Sequence, residues 1–213
     1  MEKTDSHSPC DYVMKARDNQ PKPLTREMFQ TLLDDMNVRF LCDKVREHKP
    51  DAERYKTMLP AITWQSRFGG KLRTDQNASP SGLFCIDVDI QHEPEFKDIA
   101  QRDGIEAAFT WAEREAQERA LRWARMQKEE DSELTNLDLN IVAIHISPSA
   151  TGVHVVAQCY APCKSIAENQ SRLARLLGTS YDEVCKDWAR IYFVTPREDW
   201  TYLDLDHIFG YED

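Results

Sequence analysis

The chain has 213 residues and a formal net charge of −10 at pH 7. Its hydrophobic content of 41% and charged content of 30% are typical of a soluble globular protein and exclude an intrinsically disordered chain. No apolar run is long enough to cross a bilayer, and the first residues do not resemble a secretory signal, so we expect a cytoplasmic protein without a membrane partner.

The charge is unevenly distributed along the chain. Residues 1–80 contain 14 Lys and Arg against 12 Asp and Glu, whereas residues 81–213 contain 13 against 25. A polyanion would therefore bind the N-terminal part or a local basic patch. The six cysteines show no disulfide framework, and Cys159 and Cys163 have no second Cys/His pair nearby, so reduced thiols and no zinc site are expected.

The N-terminal part of the chain predicts helices. Residues 1–23 show no periodicity and read as a loose lead-in, which leaves 24–213 as a single domain. Thr25 is positioned to cap a helix that runs to about Arg46, and Asp51 to cap a short second helix. Residues 24–60 thus form a predicted N-terminal helical lobe.

The remainder, residues 61–213, alternates strands and helices. Apolar runs predict strands, and a helix-period pattern over 105–130 predicts the clearest helix, read as an insertion of about 104–131 that packs outside the functional site. Two capping boxes, Ser165/Glu168 and Ser180/Glu183, predict two later helices. The predicted strands are Ala61–Trp64, Leu83–Ile90, Leu139–Ile146, Val153–Gln158 and Ile191–Val194. The order predicts an α+β fold with a mainly antiparallel sheet flanked by helices.

Two carboxylates interrupt the apolar strand Leu83–Ile90. Asp87 and Asp89 stand at i and i+2, so the period of two places both on the same face. Two like charges so close together are costly unless a cation lies between them. The pattern favours a site for a divalent metal held by oxygen ligands over a salt-bridged structural pair.

A turn of small residues precedes the strand that carries His154. It offers hydroxyls, backbone N–H groups and a glycine that permits close approach of a phosphate. A histidine on a strand is more often structural, which is the interpretation preferred for His145. The predicted nucleotide-binding residues of this segment are Ser147, Ser149, Thr151, Gly152 and His154.

Four segments taken together resemble a known family. They are Leu59–Trp64, Ser81–Asp89, Ser147–His154 and Asp187–Phe193, and they look like the VirE-type N-terminal domain of bacterial mobile-element and phage proteins. That family belongs to the archaeo-eukaryotic primase superfamily, the primase-polymerases. The resemblance covers about residues 55–210 in the right order and implies an RRM-like sheet.

The resemblance also implies roles for single residues. The superfamily pattern has an acidic D-x-D/E strand, an S-x-H strand and a third acidic residue near an arginine. Carried over, it makes Asp87, Asp89 and Asp187 the catalytic ligands of Mg²⁺ or Mn²⁺ and Arg190 a phosphate contact. The chain departs from the pattern at Gly152, where the motif has serine, which puts that hydroxyl contact in doubt.

A basic loop around Gly69–Gly70 precedes the acidic strand. Its side chains are candidates for binding nucleic-acid phosphates, and a solvated loop is the equal alternative. The residues are Arg67, Lys71 and Arg73.

The function expected from these features is template-directed nucleotidyl transfer, by a DNA primase or polymerase that replicates a mobile element or phage. The partners would be NTP or dNTP and a single-stranded DNA template. The chain lacks a G-x-x-x-x-G-K-[ST] motif, so another chain or domain would supply a helicase. A non-catalytic nucleic-acid-binding replication module with the same fold is the alternative, and a metal-dependent nuclease is less favoured because it leaves the histidine-bearing turn unexplained.

Overall fold

A computed structural model describes residues 8–129 and 138–210 of the chain. Its helices are α1 (Arg26–Leu33), α2 (Met36–Arg46), α3 (Ala52–Lys56), α4 (Pro94–Asp103), α5 (Ile105–Lys128), α6 (Ile166–Leu177) and α7 (Leu205–Phe209). Its strands are β1 (Asp11–Val13), β2 (Lys22–Pro23), β3 (Ala61–Thr63), β4 (Ser66–Arg67), β5 (Ser79–Pro80), β6 (Leu83–Asp89), β7 (Ile141–Ile146), β8 (Gly152–Gln158), β9 (Tyr192–Phe193) and β10 (Trp200–Leu203). None of the described helices combines the length and the apolar character of a membrane span.

Two four-stranded antiparallel sheets organise the described residues. The central sheet has the strand order β10-β7-β8-β6, and the N-terminal sheet has the order β2-β1-β3-β9. Strands β4 and β5 form a separate short ladder. The α+β class and the mainly antiparallel pairing agree with the expectation from the sequence.

Strand β6 distributes its side chains to the two faces of the central sheet. Phe84, Ile86 and Val88 join an apolar cluster under helices α5 and α6, whereas Leu83 and Cys85 join the cluster shared with the N-terminal sheet. The alternation follows from the period of two along a strand. Both faces of this sheet are therefore covered.

Helix α5 packs closely on the central sheet because small residues line its inner face. Every fourth residue of that face is a buried alanine, and Trp123 fills the space near its end. Ile105 and Leu121, two apolar residues of the helix-period pattern, are instead about half exposed. The buried alanines are Ala108, Ala112, Ala116, Ala120 and Ala124.

The N-terminal segment differs from the predicted loose lead-in. Residues 1–7 lie outside the described residues, but Asp11–Val13 is a buried strand that pairs with both β2 and β3. The reason is tertiary: three residues are too few to show a periodicity, and pairing with β3 decides their conformation. The helical lobe is likewise joined to the N-terminal sheet in one apolar cluster.

The predicted first helix is two helices. Thr25 caps α1 as predicted, since its Oγ1 accepts a hydrogen bond from the Met28 N–H at 3.2 Å. The helix ends at Leu33, and Asp35 caps α2 by accepting from the Asn37 N–H at 2.8 Å. Two consecutive aspartates provide the break.

For the C-terminal part, one predicted element is absent and one is confirmed. The helix predicted to begin at Ser180 is absent, and residues 183–189 form turns instead. The strand predicted at Ile191–Val194 is β9, which belongs to the N-terminal sheet, and the unpredicted β10 completes the central sheet. Pairing partners, rather than local sequence, decide which sheet a short strand joins.

Candidate functional site

A row of polar side chains crosses the central sheet on the face toward the N-terminal sheet. Asp87 lies opposite His154, His154 opposite His145, and His145 opposite Trp200. Residues directly opposite in neighbouring strands present their side chains on the same face. The strand register therefore assembles the row, and Asp89 lies beside it, two residues from Asp87.

The two histidines of the row are joined to each other. His154 is buried, with Nε2 3.5 Å from Asp87 Oδ1 and Nδ1 3.3 Å from His145 Nε2. His145 Nδ1 lies 3.1 Å from the Ile146 carbonyl oxygen, and its ring stacks on Trp200 with centroids 4.1 Å apart.

The hydrogen-bond partners of these two rings bear on which nitrogen of each carries a proton. Burial, with the proximity of His154, holds the pKa of His145 well below its ordinary value, so His145 is neutral. His145 Nδ1 also lies 3.0 Å from Thr195 Oγ1, which can donate or accept, whereas the Ile146 carbonyl oxygen only accepts. With the proton on Nδ1, His145 donates to Ile146 and its Nε2 accepts from His154 Nδ1. His154 Nε2 is thereby directed at Asp87. His145 keeps the structural role preferred for it, as the residue that positions His154.

The paired carboxylates have different electrostatics. Burial acts to raise the pKa of Asp87, but His154, Lys56 and Arg190 outweigh burial and hold that pKa below its ordinary value. Burial raises the pKa of Asp89, which His92 opposes and Asp87 reinforces. The site thus favours the ionised form of Asp87 more than that of Asp89, whose charge a bound cation would offset.

A third carboxylate comes from the turns after α6. Ligand atoms of Asp87, Asp182 and Cys185 all lie within 4.8 Å of one another. The Asp182 N–H donates to the Asp87 carbonyl oxygen at 2.8 Å, which ties this segment to the end of β6. Its carboxylate accepts from the Val184 N–H at 2.9 Å and from Cys185 Sγ at 3.3 Å.

Asp187, the acid predicted for this position, lies elsewhere. Its Oδ2 accepts from Arg190 Nη2 at 2.9 Å, and its carbonyl oxygen accepts from Gln65 Nε2 at 2.7 Å. Asp187 does not line the cleft that contains Asp87, whereas Arg190 does. The absence of the predicted helix explains the difference, because the turns bring residue 182 rather than 187 to the strand end.

The turn between β7 and β8 presents hydroxyls to the same cleft. The Ser147 N–H donates to the Gly152 carbonyl oxygen at 2.9 Å, and Ala150 adopts a left-handed conformation with φ of 62°. Ser147 and Ser149 line the cleft, and their Oγ atoms lie 3.1 Å apart. Thr151 is fully buried and does not line the cleft. Its Oγ1 lies within hydrogen-bond distance of Ser149 Oγ, at 2.9 Å.

Gly152 is required by a close approach of the backbone. A Cβ at this position would lie 2.8 Å from the Val88 carbonyl oxygen and 3.2 Å from Ser147 Oγ. The serine that the resemblance expects here has no room. The Ser147 hydroxyl lies beside the space that a side chain at 152 would fill, so a hydroxyl is present although the motif serine is not.

These groups surround one cleft of about 170 Å³. Its wall combines carboxylates, two hydroxyls and two cations, Lys56 and Arg190. The remaining lining includes Tyr192, whose hydroxyl donates to the Cys85 carbonyl oxygen at 3.2 Å. Among the residues singled out in the sequence, the cleft brings together Asp87, Asp89, Ser147, Ser149, Gly152, His154 and Arg190.

The predicted basic loop lies outside this cleft. Arg67 and Lys71 are exposed, and Arg67 makes a 3.3 Å contact with the Pro80 carbonyl oxygen. Arg73 is half-buried and donates to the carbonyl oxygens of Ala189 at 2.8 Å and Ala16 at 2.9 Å. Its guanidinium braces two chain segments, which leaves Arg67 and Lys71 as the solvent-facing cations of the loop.

Sequence reasoning missed three residues of the cleft: Lys56, Asp182 and Cys185. Asp182 stood inside a segment read as helix, where it looked like an ordinary surface acid. Lys56 ends a short helix far from the acidic strand in sequence, and only the packing of α3 brings it near. The sequence signal that could have found Asp182 is its position in a turn-rich segment that also holds Gly178 and Ser180.

The donor set fits a hard divalent cation. Asp87 and Asp182 offer carboxylate oxygens within 4.8 Å of each other, and Asp89 lines the same cleft without belonging to that cluster. Carboxylate oxygens are the ligands that Mg²⁺ and Mn²⁺ prefer. Burial, with the charge of Asp87, raises the pKa of Cys185, so this residue remains a thiol and donates to Asp182 rather than binding a hard ion. Comparison of the chain with protein-family models, curated proteins and solved structures found no match.

Proposed function

We propose that the protein is a metal-dependent nucleotidyltransferase that copies a nucleic-acid template, a primase-polymerase of the archaeo-eukaryotic primase superfamily. One observation carries the proposal: three carboxylates from two segments line one cleft together with hydroxyls and cations, and two of them, Asp87 and Asp182, place ligand atoms within 4.8 Å of each other. That arrangement suits a triphosphate held between metal ions and protein donors.

Each residue of the cleft has a role in this chemistry. Asp87, Asp89 and Asp182 would hold Mg²⁺ or Mn²⁺, which when bound neutralises charge on the phosphates and polarises the attacked α-phosphate. Ser147, Ser149 and the turn backbone donate to phosphate oxygens, and Lys56 and Arg190 balance their charge. His154, fixed by His145, adds a donor between the metal ligands and the phosphates when its Nε2 is protonated.

The fold supports the proposal at a coarse level. The central sheet follows the β-α-β-β-α-β order of an RRM-like sheet, with β8 between β6 and β7. One feature differs: the last strand, β10, pairs with β7, whereas the last strand of an RRM pairs with the first. The RRM-like part of the expectation thus applies to the three strands that carry the site.

The partners follow from the same proposal. They are NTP or dNTP and a single-stranded DNA template, with a helicase supplied by another chain or domain. Replication of a mobile element or phage in a cytoplasm is the setting that this chemistry fits. Arg67 and Lys71 are the cations of the basic loop available to a template strand.

The proposal is tested by incorporation of labelled nucleotides on a single-stranded template with Mg²⁺ or Mn²⁺. We expect Asp87→Asn to reduce incorporation by about 100-fold or more, because metal-assisted charge stabilisation supplies several kcal/mol. Asp98→Asn, which alters an exposed acid of α4 outside the cleft, is the matched control. Template binding by the wild type without any incorporation would instead favour the non-catalytic replication module.

A further inference from the structure

A second cleft adjoins the carboxylate cleft and is lined by a different kind of surface. It measures about 360 Å³ and shares Lys56, Asp89 and Ser149 with its neighbour. Away from these shared polar residues, its wall contains His48 and Phe109. The two clefts are thus neighbours that share part of their lining, and aromatic rings line the second one.

The aromatic lining of the second cleft is built from a fixed pair of rings. His48 and Phe109 stack in parallel, with centroids 3.8 Å apart and planes 2° from parallel. His48 Nε2 lies 3.1 Å from Glu113 Oε1, which holds the imidazole in place, and Phe96 contacts Phe109 edge-on at 5.5 Å. Phe109 remains only half-buried. A flat ligand ring would therefore meet a rigid aromatic surface.

The backbone at His48 supports a role for its side chain. His48 follows α2 with φ of 49°, a left-handed conformation that glycine or asparagine usually occupies at the end of a helix. A histidine here is disfavoured by its Cβ, and such strained positions cluster at ligand sites.

The chemistry of the two clefts together points to one class of ligand. A nucleoside triphosphate has a charged end and a flat aromatic end, and a cleft of 360 Å³ is within the range of about 300–1,000 Å³ for small-molecule pockets. Glu53 and Gln91 also line the aromatic cleft and offer an acceptor and an amide to the edge of a base. Stacking on aromatic rings tolerates every base.

We propose that the cleft of His48 and Phe109 binds the nucleobase of the nucleotide whose phosphates occupy the carboxylate cleft. This inference rests on the proposed function. It gives α5 a direct role, because Phe109 belongs to the segment that the sequence placed outside the site. The ligand spans the two clefts across Lys56, Asp89 and Ser149.

The test compares two ligands by calorimetry in the presence of Mn²⁺: inorganic tripolyphosphate, which has no base, and dATP. The wild type should bind dATP more tightly than tripolyphosphate. Phe109→Leu should weaken dATP binding by about 5- to 150-fold, the fold-change of one lost base–aromatic stack, and leave tripolyphosphate binding unchanged. Phe109→Tyr, which keeps the ring, should retain the preference for dATP.

Two further variants keep the test decisive. Phe40→Ala removes an exposed ring of α2 that lines neither cleft and should change nothing. His48→Asn removes the stacked imidazole with a residue that tolerates the left-handed backbone, and it replaces Phe109→Leu should that variant fail to fold.

The outcomes separate the two proposals. Equal affinity of the wild type for dATP and tripolyphosphate, or dATP binding that survives both Phe109→Leu and His48→Asn, would overturn the nucleobase site while the phosphate site stands. Failure of the wild type to bind either ligand would overturn the proposed function, and the nucleobase site with it.

Discussion

The two faces of the central sheet are built from the same strands but differ in what they contain. On the helix side, β6 presents Phe84, Ile86 and Val88 to an apolar cluster under α5 and α6. On the other side, the same strand presents Asp87 and Asp89 to a cleft with hydroxyls and cations. A single strand thus anchors the fold with one set of alternate residues and holds the carboxylates with the other.

The difference between the faces shows how the site accommodates the like charges of Asp87 and Asp89. The helix side is packed mainly with apolar side chains, so burial of these side chains stabilises the fold. The other side needs compensation for every charge, and His154, Lys56 and Arg190 provide it for Asp87. We therefore expect substitutions on the helix side to change stability and substitutions on the cleft side to change ligand binding.

The largest effect is expected on the helix side. Phe84→Ala removes a fully buried ring and should lower the free energy of unfolding by about 3–5 kcal/mol, from lost burial and the cavity left behind. Urea unfolding measures this change, and Leu72→Ala at an exposed position is the control. Loss of metal binding in folded Phe84→Ala protein would show that the faces are not independent.

The second-largest effect is expected on the cleft side, where two acids of one segment can be compared. Asp182→Asn should reduce nucleotide incorporation by about 100-fold or more and weaken Mn²⁺ binding, because its carboxylate lies with Asp87. Asp187→Asn should cost less than about fivefold, since it loses only a partly exposed ion pair with Arg190. Kinetics and Mn²⁺ titration of both variants check this, and the reverse order would restore Asp187 as the ligand.

The third effect tests the close approach of α5 to the sheet. Ala116 is fully buried, and Ala116→Leu should lower the free energy of unfolding by about 1–3 kcal/mol, because the added methylenes have no space. Gln117→Leu adds a similar side chain at an exposed position of the same helix and should stay within about 0.5 kcal/mol. Equal stability of the two variants would mean that the alanine face is loosely packed.

The smallest effect concerns the buried histidine of the row. The pKa of His145 lies well below its unfolded value, so the folded state binds fewer protons, and the stability that this provides is lost as the pH falls below about 6.5. This residue should contribute a slope of up to about 1.4 kcal/mol per pH unit. The free energy of unfolding of metal-free protein, measured between pH 7.5 and 5, should depend less steeply on pH for His145→Asn than for the wild type. His92→Asn, at an exposed position, should keep the wild-type slope. Parallel slopes for wild type and His145→Asn would contradict the neutral state of this ring.

Much of the candidate site could be predicted from local sequence. Asp87 and Asp89 share a face because a strand has a period of two, and their apolar flanks made β6 recognisable as a strand. The small residues of Ser147–Gly152 identified the turn before His154. Neighbours in the chain decide these features, so no tertiary information was needed.

Other features depended on tertiary structure because their partners are distant in sequence. Strand pairing placed β1 and β9 in a second sheet, and Tyr192 and Phe193 of β9 line the cleft. Packing brought Lys56 and Phe109 close to the acidic strand, and the turns after α6 placed Asp182 rather than Asp187 beside Asp87. By itself the sequence determined the strand, the turn and the chemistry of their side chains, since these follow from backbone geometry and residue type. Only the tertiary structure decided which distant charges compensate the carboxylates and which rings lie beside them, because strand pairing and packing are not encoded in any local pattern.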